Sequence, residues 1–215
     1  MTISRPDLEA NPRVRYGFYL RPSPAMSRAQ AAMHDAIRRQ FGLRVGGQFM
    51  PHATIMSFFR SDAPVAEIVS AIDPVIADRP VFPVWNNGPI TMGRGVVLDV
   101  HHDDRGNPNA AMQAVHEAAF AAITPLVHSQ CEFAWNGWSG ERFHAHLTLA
   151  MADVPEWGQQ EVLEYARAEP VGPRTFLAEY FHLYAFQSDD WAGEWWRTMS
   201  WEWLYSWRLA PVASS

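Results

Sequence analysis

Hydrophobic residues recur along this chain with two periodicities, and each predicts a different kind of element. Between residues 23 and 41 they fall at steps of three and four, the spacing of one helical face. Shorter runs rich in β-branched and aromatic residues predict strands. We expect helices over 23–41, 63–77, 157–168 and from Asn107 or Asn109 to about 124, and strands over 14–20, 50–59, 81–85, 90–92, 96–101, 143–150, 174–187 and 195–209.

The order of these elements suggests an internal repeat. It reads β-α-β-α-β-β-β and then α-β-α-β-β, which predicts two similar α+β lobes. No low-complexity linker separates the halves. We therefore expect one bilobed domain over residues 1–215.

Two tetrapeptides share one pattern, His52-Ala53-Thr54-Ile55 and His146-Leu147-Thr148-Leu149. Both lie in predicted strands, where residues i and i+2 point to the same face. Each copy therefore places an imidazole beside a hydroxyl. Brought together, the two copies would supply two proton-transfer groups and two hydroxyl donors around one small anion.

These motifs resemble the signature of the 2H phosphoesterase superfamily, which includes the bacterial RNA 2′,3′-cyclic phosphodiesterases, also called 2′-5′ RNA ligases. The second motif begins 94 positions after the first, compatible with one motif in each lobe. The resemblance covers roughly residues 13–209. One departure is Ala145, where the family often has proline before the motif. The resemblance implies an α+β fold with two antiparallel sheets, flanked by helices, around a central cleft.

The resemblance also implies a metal-independent phosphodiesterase without a cofactor. His52 and His146 would be the catalytic pair, one as general base and the other as general acid, in an order that the sequence leaves open. Thr54 and Thr148 would bind the non-bridging phosphate oxygens. The expected substrate is a 2′,3′-cyclic phosphate or a 2′-linked phosphodiester of a nucleotide or RNA end. A module that binds such a ligand without turnover is the non-enzymatic alternative.

A second enzymatic alternative is a zinc hydrolase. His144 shares a strand face with His146, so His52, His144 and His146 together would offer three zinc ligands. That site would not use the repeated threonines. The run His101-His102-Asp103-Asp104 also contains metal-binding residue types, but its position before a turn favours a solvated loop.

Composition excludes several mechanisms. All 17 basic residues are arginine, so a Walker A loop and an ATP-dependent ligase that works through a lysyl adduct are excluded. The single cysteine, Cys131, excludes an internal disulfide framework. There is no apolar signal segment and no apolar run long enough to span a membrane, which favours a cytoplasmic protein.

The charge distribution bears on the expected partner. The net charge is −6, yet residues 1–60 carry nine arginines and three acidic residues. An acidic protein is a poor candidate for long duplexes, whose affinity depends on many phosphate contacts. The basic first quarter, which contains His52, favours local attraction of one or two phosphates. We expect a small nucleotide or an RNA end as partner; the oligomeric state is left open.

Tryptophan is concentrated near the C-terminus, where six of the ten lie between Trp191 and Trp207. Alternation predicts one aromatic strand face, either packed in the core or forming a wall on which a base stacks. As an alternative to such a wall, Trp135 and Trp138 would cap the site. The residues of the predicted aromatic face are Trp201, Trp203, Tyr205 and Trp207.

Overall fold

The computed structural model describes residues 4–131 and 142–211, and these form four α-helices and nine β-strands. In chain order they are β1 (Val14–Arg21), α1 (Pro24–Phe41), β2 (Ala53–Phe59), α2 (Val65–Ile76), β3 (Phe82–Trp85), β4 (Pro89–Met92), β5 (Gly95–Asp99), α3 (Ala110–Ile123), β6 (His146–Ala150), α4 (Gln159–Arg167), β7 (Thr175–Ala178), β8 (Tyr180–Gln187) and β9 (Ser200–Arg208).

Residues at the helix ends explain why the helices lie where the sequence predicts them. The Ser23 hydroxyl accepts a hydrogen bond from the Met26 N–H and caps the start of α1, and Gly42 ends the helix in the left-handed conformation with φ 76°. At the start of α3, the Asn109 side chain accepts from the Met112 N–H. Of the two caps predicted for α3, Asn109 is therefore the one used.

Seven strands form one antiparallel sheet in the order β4-β5-β6-β2-β1-β8-β9, and β3 pairs with β7 in a second sheet. Helix α1 packs against β6, and α4 packs against β4 and β5. Helix α3 packs against β2, and α2 packs against β9. The predicted α+β class with antiparallel sheets and flanking helices is confirmed. The two halves of the chain pack against each other, because α1 from the first half contacts β6 from the second.

The predicted strand over 174–187 is two strands in different sheets. β7 pairs with β3, whereas β8 pairs with β1 and β9. The break falls at Glu179, whose carbonyl accepts a hydrogen bond from the Leu209 N–H. In the sequence this point is marked only by Glu179, a single charged residue within an apolar run, which does not by itself predict a change of sheet.

The predicted single aromatic face on β9 is wrong. The register against β8 shifts between Leu183 and Tyr184, an irregularity of the β-bulge type. The side chains of Trp201 and Trp203 lie on the same face of the sheet as Tyr184 of β8. The next two aromatics, Tyr205 and Trp207, pack instead against the main hydrophobic core. Alternation counted in the sequence fails here because an irregular pair reverses the face.

Two apolar clusters cover opposite faces of the sheet around β1. The main core contains Tyr16, Phe18 and Leu20, whereas Tyr19 belongs to a smaller aromatic cluster with Phe49 and others. β1 is therefore buried on both faces. Among the described residues, no helix combines the length and the apolar character needed to cross a membrane.

Trp207 ties the edge strand β9 to helix α2, and this contact generates a stability prediction. Its ring is only 7% exposed and its Nε1–H donates to Asp73 Oδ1 at 2.7 Å. Trp207→Phe removes the donor and should lower the free energy of unfolding, measured in urea, by about 1.5–3 kcal/mol. Trp203→Phe is the matched control: this ring is 59% exposed, so the change should stay within about 0.5 kcal/mol. Equal losses in the two variants would contradict this role of Trp207.

Candidate functional site

The two His-Thr motifs meet where β2 pairs with β6. The ladder between these strands consists of the pair Ala53 and Leu147, and both side chains are fully buried. Extended by one residue in each direction, this antiparallel register sets His52 opposite Thr148 and Thr54 opposite His146. Side chains paired in this way have Cβ atoms about 4.5–5.5 Å apart. The four groups therefore alternate around one patch on the face away from Ala53 and Leu147.

All four motif side chains line one cleft of about 260 Å³. The remainder of its wall is mainly apolar and aromatic. The other lining residues are Tyr19, Phe49, Ile55, Met56, Ser57, Phe58, Met92, His116, Phe120, Phe143, His144 and Met151.

The two imidazoles are held in the same way. His52 Nδ1 lies 2.7 Å from the Met50 carbonyl oxygen, and His146 Nδ1 lies 2.7 Å from the His144 carbonyl oxygen. A carbonyl only accepts, so each Nδ1 carries the hydrogen and donates it. The carbonyl thereby fixes the tautomer. Nε2 is left on both rings as the nitrogen that can gain or lose a proton.

Burial keeps both imidazoles neutral in the unliganded protein. His52 is 8% exposed, and the Tyr19 ring packs edge-on against it at 4.6 Å between centroids. Removal from water disfavours the imidazolium and lowers the pKa of His52 to about 4, although the hydrogen bond to Met50 opposes the shift. His146 is half-buried, and its partial removal from water likewise lowers its pKa to about 4. Neither ring is charged at neutral pH.

The threonine hydroxyls are available to a ligand. Thr54 and Thr148 are both half-buried, and neither hydroxyl is hydrogen-bonded to another described residue. The Thr148 backbone is held firmly, because its carbonyl accepts from Gln30 Nε2 at 2.9 Å and from His34 Nε2 at 2.8 Å. Helix α1 therefore positions the second motif.

A carboxylate–histidine cluster lies beside the cleft, and His144 belongs to it. Asp99 Oδ2 lies 2.7 Å from His102 Nδ1, and Asp99 Oδ1 lies 3.2 Å from His144 Nε2. Burial opposes ionisation of Asp99. Contacts with His144, His102 and the His101 N–H nevertheless hold the pKa of Asp99 below its usual range.

This cluster bears on the alternative three-histidine zinc site and on the run from His101 to Asp104, which also contains metal-binding residue types. The ligand atoms of Asp99, His102 and His144 lie within 4.8 Å of one another, close enough for a metal ion. Among residues 4–131 and 142–211, this is the set with metal-ligand spacing, and it contains neither His52 nor His146. The alternative zinc site of His52, His144 and His146 is therefore not assembled, because His144 Nε2 lies 3.2 Å from Asp99 Oδ1. His102 is likewise not simply a solvated loop residue.

The structure adds two cleft residues that the sequence did not predict. Tyr19 pairs with Thr54 across β1 and β2, and its hydroxyl contacts the Ser57 hydroxyl. His116 is buried, donates from Nδ1 to the Ile55 carbonyl at 2.7 Å, and stacks on Phe143. The sequence signal for His116 was an imidazole on an apolar helix face. Tyr19 had no distinguishing signal in the sequence, because it lies among other aromatic residues of β1.

The aromatic residues singled out in the sequence lie elsewhere. Within the described part of the chain, none of the four aromatics of β9 lines the cleft. Trp135 and Trp138, the alternative candidates for a cap over the site, fall outside the described residues.

The fold is similar to those of several solved structures. TT0787 of Thermus thermophilus matches with a TM-score of 0.60 and 13% identity, covering 91% of this chain and 97% of that one. E. coli LigT complexed with 3′-AMP matches with a TM-score of 0.53 and 15% identity over 92% and 98% of the two chains. E. coli LigT complexed with NADP+ matches with a TM-score of 0.51 and 16% identity over 93% of this chain and 99% of that one.

Comparison with curated proteins finds no match. A sequence model of the 2′-5′ RNA ligase superfamily matches residues 22–190, which include both His-Thr motifs. The resemblance to the 2H phosphoesterases inferred from these motifs is thereby confirmed. Since the match spans well over half of the chain, this protein belongs to the 2′-5′ RNA ligase superfamily.

Proposed function

We propose that this protein is a metal-independent phosphodiesterase that opens a 2′,3′-cyclic phosphate or a 2′-linked phosphodiester of a nucleotide or RNA end. Membership of the superfamily supports a phosphoesterase role. The observation that carries the finer proposal is that two imidazoles with identical carbonyl anchors share one cleft with two hydroxyls that have no described protein partner.

The two imidazoles divide the proton transfers between them. One, neutral, accepts a proton at Nε2 from water as the water oxygen bonds to phosphorus. The other, as imidazolium, donates its Nε2 proton to the ribose oxygen as the P–O bond breaks. The product is a phosphomonoester with a free hydroxyl. The two histidines end with exchanged protonation states, which solvent resets.

The acid must acquire its proton when substrate binds. Burial leaves both His52 and His146 neutral in the free protein. A phosphodiester anion beside an imidazole favours its charged form and raises its pKa. The substrate thus generates the imidazolium that later protonates its own leaving group.

The threonines meet the charge that builds on phosphorus. Negative charge grows on the non-bridging oxygens as water attacks, and donors already placed there stabilise the transition state. The hydroxyls of Thr54 and Thr148 suit this role, because each lines the cleft and has no described protein partner to give up.

Two alternatives have distinct signatures. A binding module would hold a 2′,3′-cyclic nucleotide without turnover across about pH 5–8. A zinc hydrolase would lose activity in EDTA and regain it with zinc, and His144→Gln would abolish its turnover. The proposal predicts turnover that EDTA leaves intact. Binding without turnover would favour the binding module, and loss of turnover in EDTA that zinc restores would favour the zinc hydrolase.

The histidine pair yields the first prediction of this mechanism. His52→Gln and His146→Gln should each lower kcat by about 10²–10⁴-fold, because each removes one proton transfer. The double variant should lose little more than the worse single one, since the groups act as a unit. His182→Gln is the matched control: His182 is also buried with its pKa lowered to about 4, but it does not line the cleft. Near-normal kcat in either cleft variant would remove that histidine from the mechanism.

The hydroxyls yield the second prediction. Thr54→Val and Thr148→Val should each lower kcat by about 10²–10³-fold, the effect of removing one transition-state donor. Thr175→Val, at an exposed position of β7, should leave kcat unchanged. A rise in KM alone would make the threonines positioning groups. No effect at all would leave the repeated threonine without a role.

The pH dependence yields the third prediction. Turnover needs one neutral and one protonated imidazole, and both pKa values lie at about 4 in the free protein. kcat/KM, which reports the free enzyme, should therefore fall as the pH rises from about 5 to about 8. kcat should persist to higher pH, because bound phosphate raises the pKa of the acid. A kcat/KM that is flat or rises over this range would show that the acid is not a buried imidazole.

A further inference from the structure

We propose that the preferred substrate is a compact phosphodiester with a single negative charge, carried on one apolar or aromatic ring system, as in a cyclic mononucleotide, and not the end of a polynucleotide. This inference rests on the proposed phosphodiesterase function and narrows it to a substrate class. It follows from the charge, the volume and the wall of the cleft.

Among residues 4–131 and 142–211, no side chain with a permanent positive charge lines the cleft. All 17 basic residues of the chain are arginines within the described ranges, and none of them lines the cleft. Residues 132–141, outside those ranges, contain neither arginine nor lysine. Among the described side chains that line the cleft, only imidazoles can therefore carry a positive charge.

None of the nine arginines in residues 1–60 lines the cleft, so the basic first quarter places no guanidinium in the wall around a bound phosphate. The Arg15 guanidinium is buried, donates to the Pro12 and Val14 carbonyls and lies 5.3 Å from the Trp191 ring centroid. Arg21 lies over the Tyr180 ring at 4.1 Å. Both side chains are engaged in contacts within the fold, and neither lines the cleft.

The charge balance suits one phosphate. A phosphodiester monoanion is neutralised by the single imidazolium that the mechanism requires. A second phosphate inside the cleft would lie among apolar side chains without a charged partner, which is strongly unfavourable. Polynucleotide ends carry such a phosphate next to the reacting one.

The volume and the wall suit one ring system. About 260 Å³ lies just below the roughly 300–1,000 Å³ of typical small-molecule sites. Met56, Met92 and Met151 offer flexible thioethers that adapt to a flat group. Phe49 and Phe58 offer aromatic faces or edges to a base.

A neighbouring cavity provides the means to overturn this inference. It shares Phe49 with the cleft and is lined by Arg38 and Arg44. Arg38 donates to Asp35 at 2.6 Å, whereas Arg44 is exposed. If a second phosphate is recognised after all, Arg44 is the group placed to meet it.

The test compares a 2′,3′-cyclic mononucleotide with an oligonucleotide that ends in the same cyclic nucleotide. kcat/KM should favour the mononucleotide by on the order of tenfold or more. For both substrates the plot of log kcat/KM against log salt should be no steeper than about −0.7, the slope of one phosphate on a single strand. A preference for the oligonucleotide with a steeper slope, relieved by Arg44→Gln, would overturn the inference.

A cation introduced into the cleft wall tests the same point by gain of function. Met92→Arg places a guanidinium at the end of β4 and should raise the oligonucleotide's kcat/KM relative to the mononucleotide's, steepening its salt slope by about 0.7. Thr91→Arg is the matched control, because this exposed neighbour points to the other face of the strand. It should leave both the ratio and the slope unchanged. An equal effect of the two variants would contradict the inference.

Failure of the proposed function remains distinguishable. If neither substrate is turned over, the phosphodiesterase proposal fails. Calorimetric affinities for the same two compounds then decide the substrate class. Tighter binding of the mononucleotide supports it, and tighter, salt-sensitive binding of the oligonucleotide overturns it.

Discussion

The backbone pairing of Ala53 with Leu147 is the constraint on which the cleft depends. It is the point at which the strands of the two motifs join, and it sets each histidine opposite the other motif's threonine. A slip of one residue would turn one His-Thr pair to the opposite face. Longer ladders on either side prevent the slip, because β1 holds β2 and β5 holds β6. Gln30 and His34 add a third restraint from α1 through the Thr148 carbonyl.

Burial of the imidazoles determines their charge state and, through it, the charge of the substrate that the cleft prefers. Carbonyl anchors orient both rings, while the apolar wall keeps them uncharged. An arginine in the same cleft would bind phosphate but would lower the pKa of a nearby imidazole still further. A wall without arginine leaves the imidazolium as the partner of the bound anion. The chemistry and the preference for a singly charged substrate thus have one physical origin.

The sequence predicted the elements better than their arrangement. Caps such as Ser23 and Asn109 are local, so the helices were found, and the duplicated motif identified the four candidate site residues because strand geometry puts i and i+2 on one face. The break at Glu179 and the irregularity in β9 depend on partner strands, which no local pattern encodes. The contact of His144 with Asp99 joins residues from different parts of the chain and was missed for the same reason.

The most direct test of the central claim is ¹⁵N NMR of the His52 and His146 imidazoles at neutral pH, with and without a bound 2′,3′-cyclic nucleotide, in the slow His52→Gln and His146→Gln variants as well as in the unaltered protein. The account predicts that both rings are neutral and protonated at Nδ1 when free, and that one becomes imidazolium on binding. An Nε2–H tautomer in the free protein, or two rings that stay neutral in the complex, would contradict it.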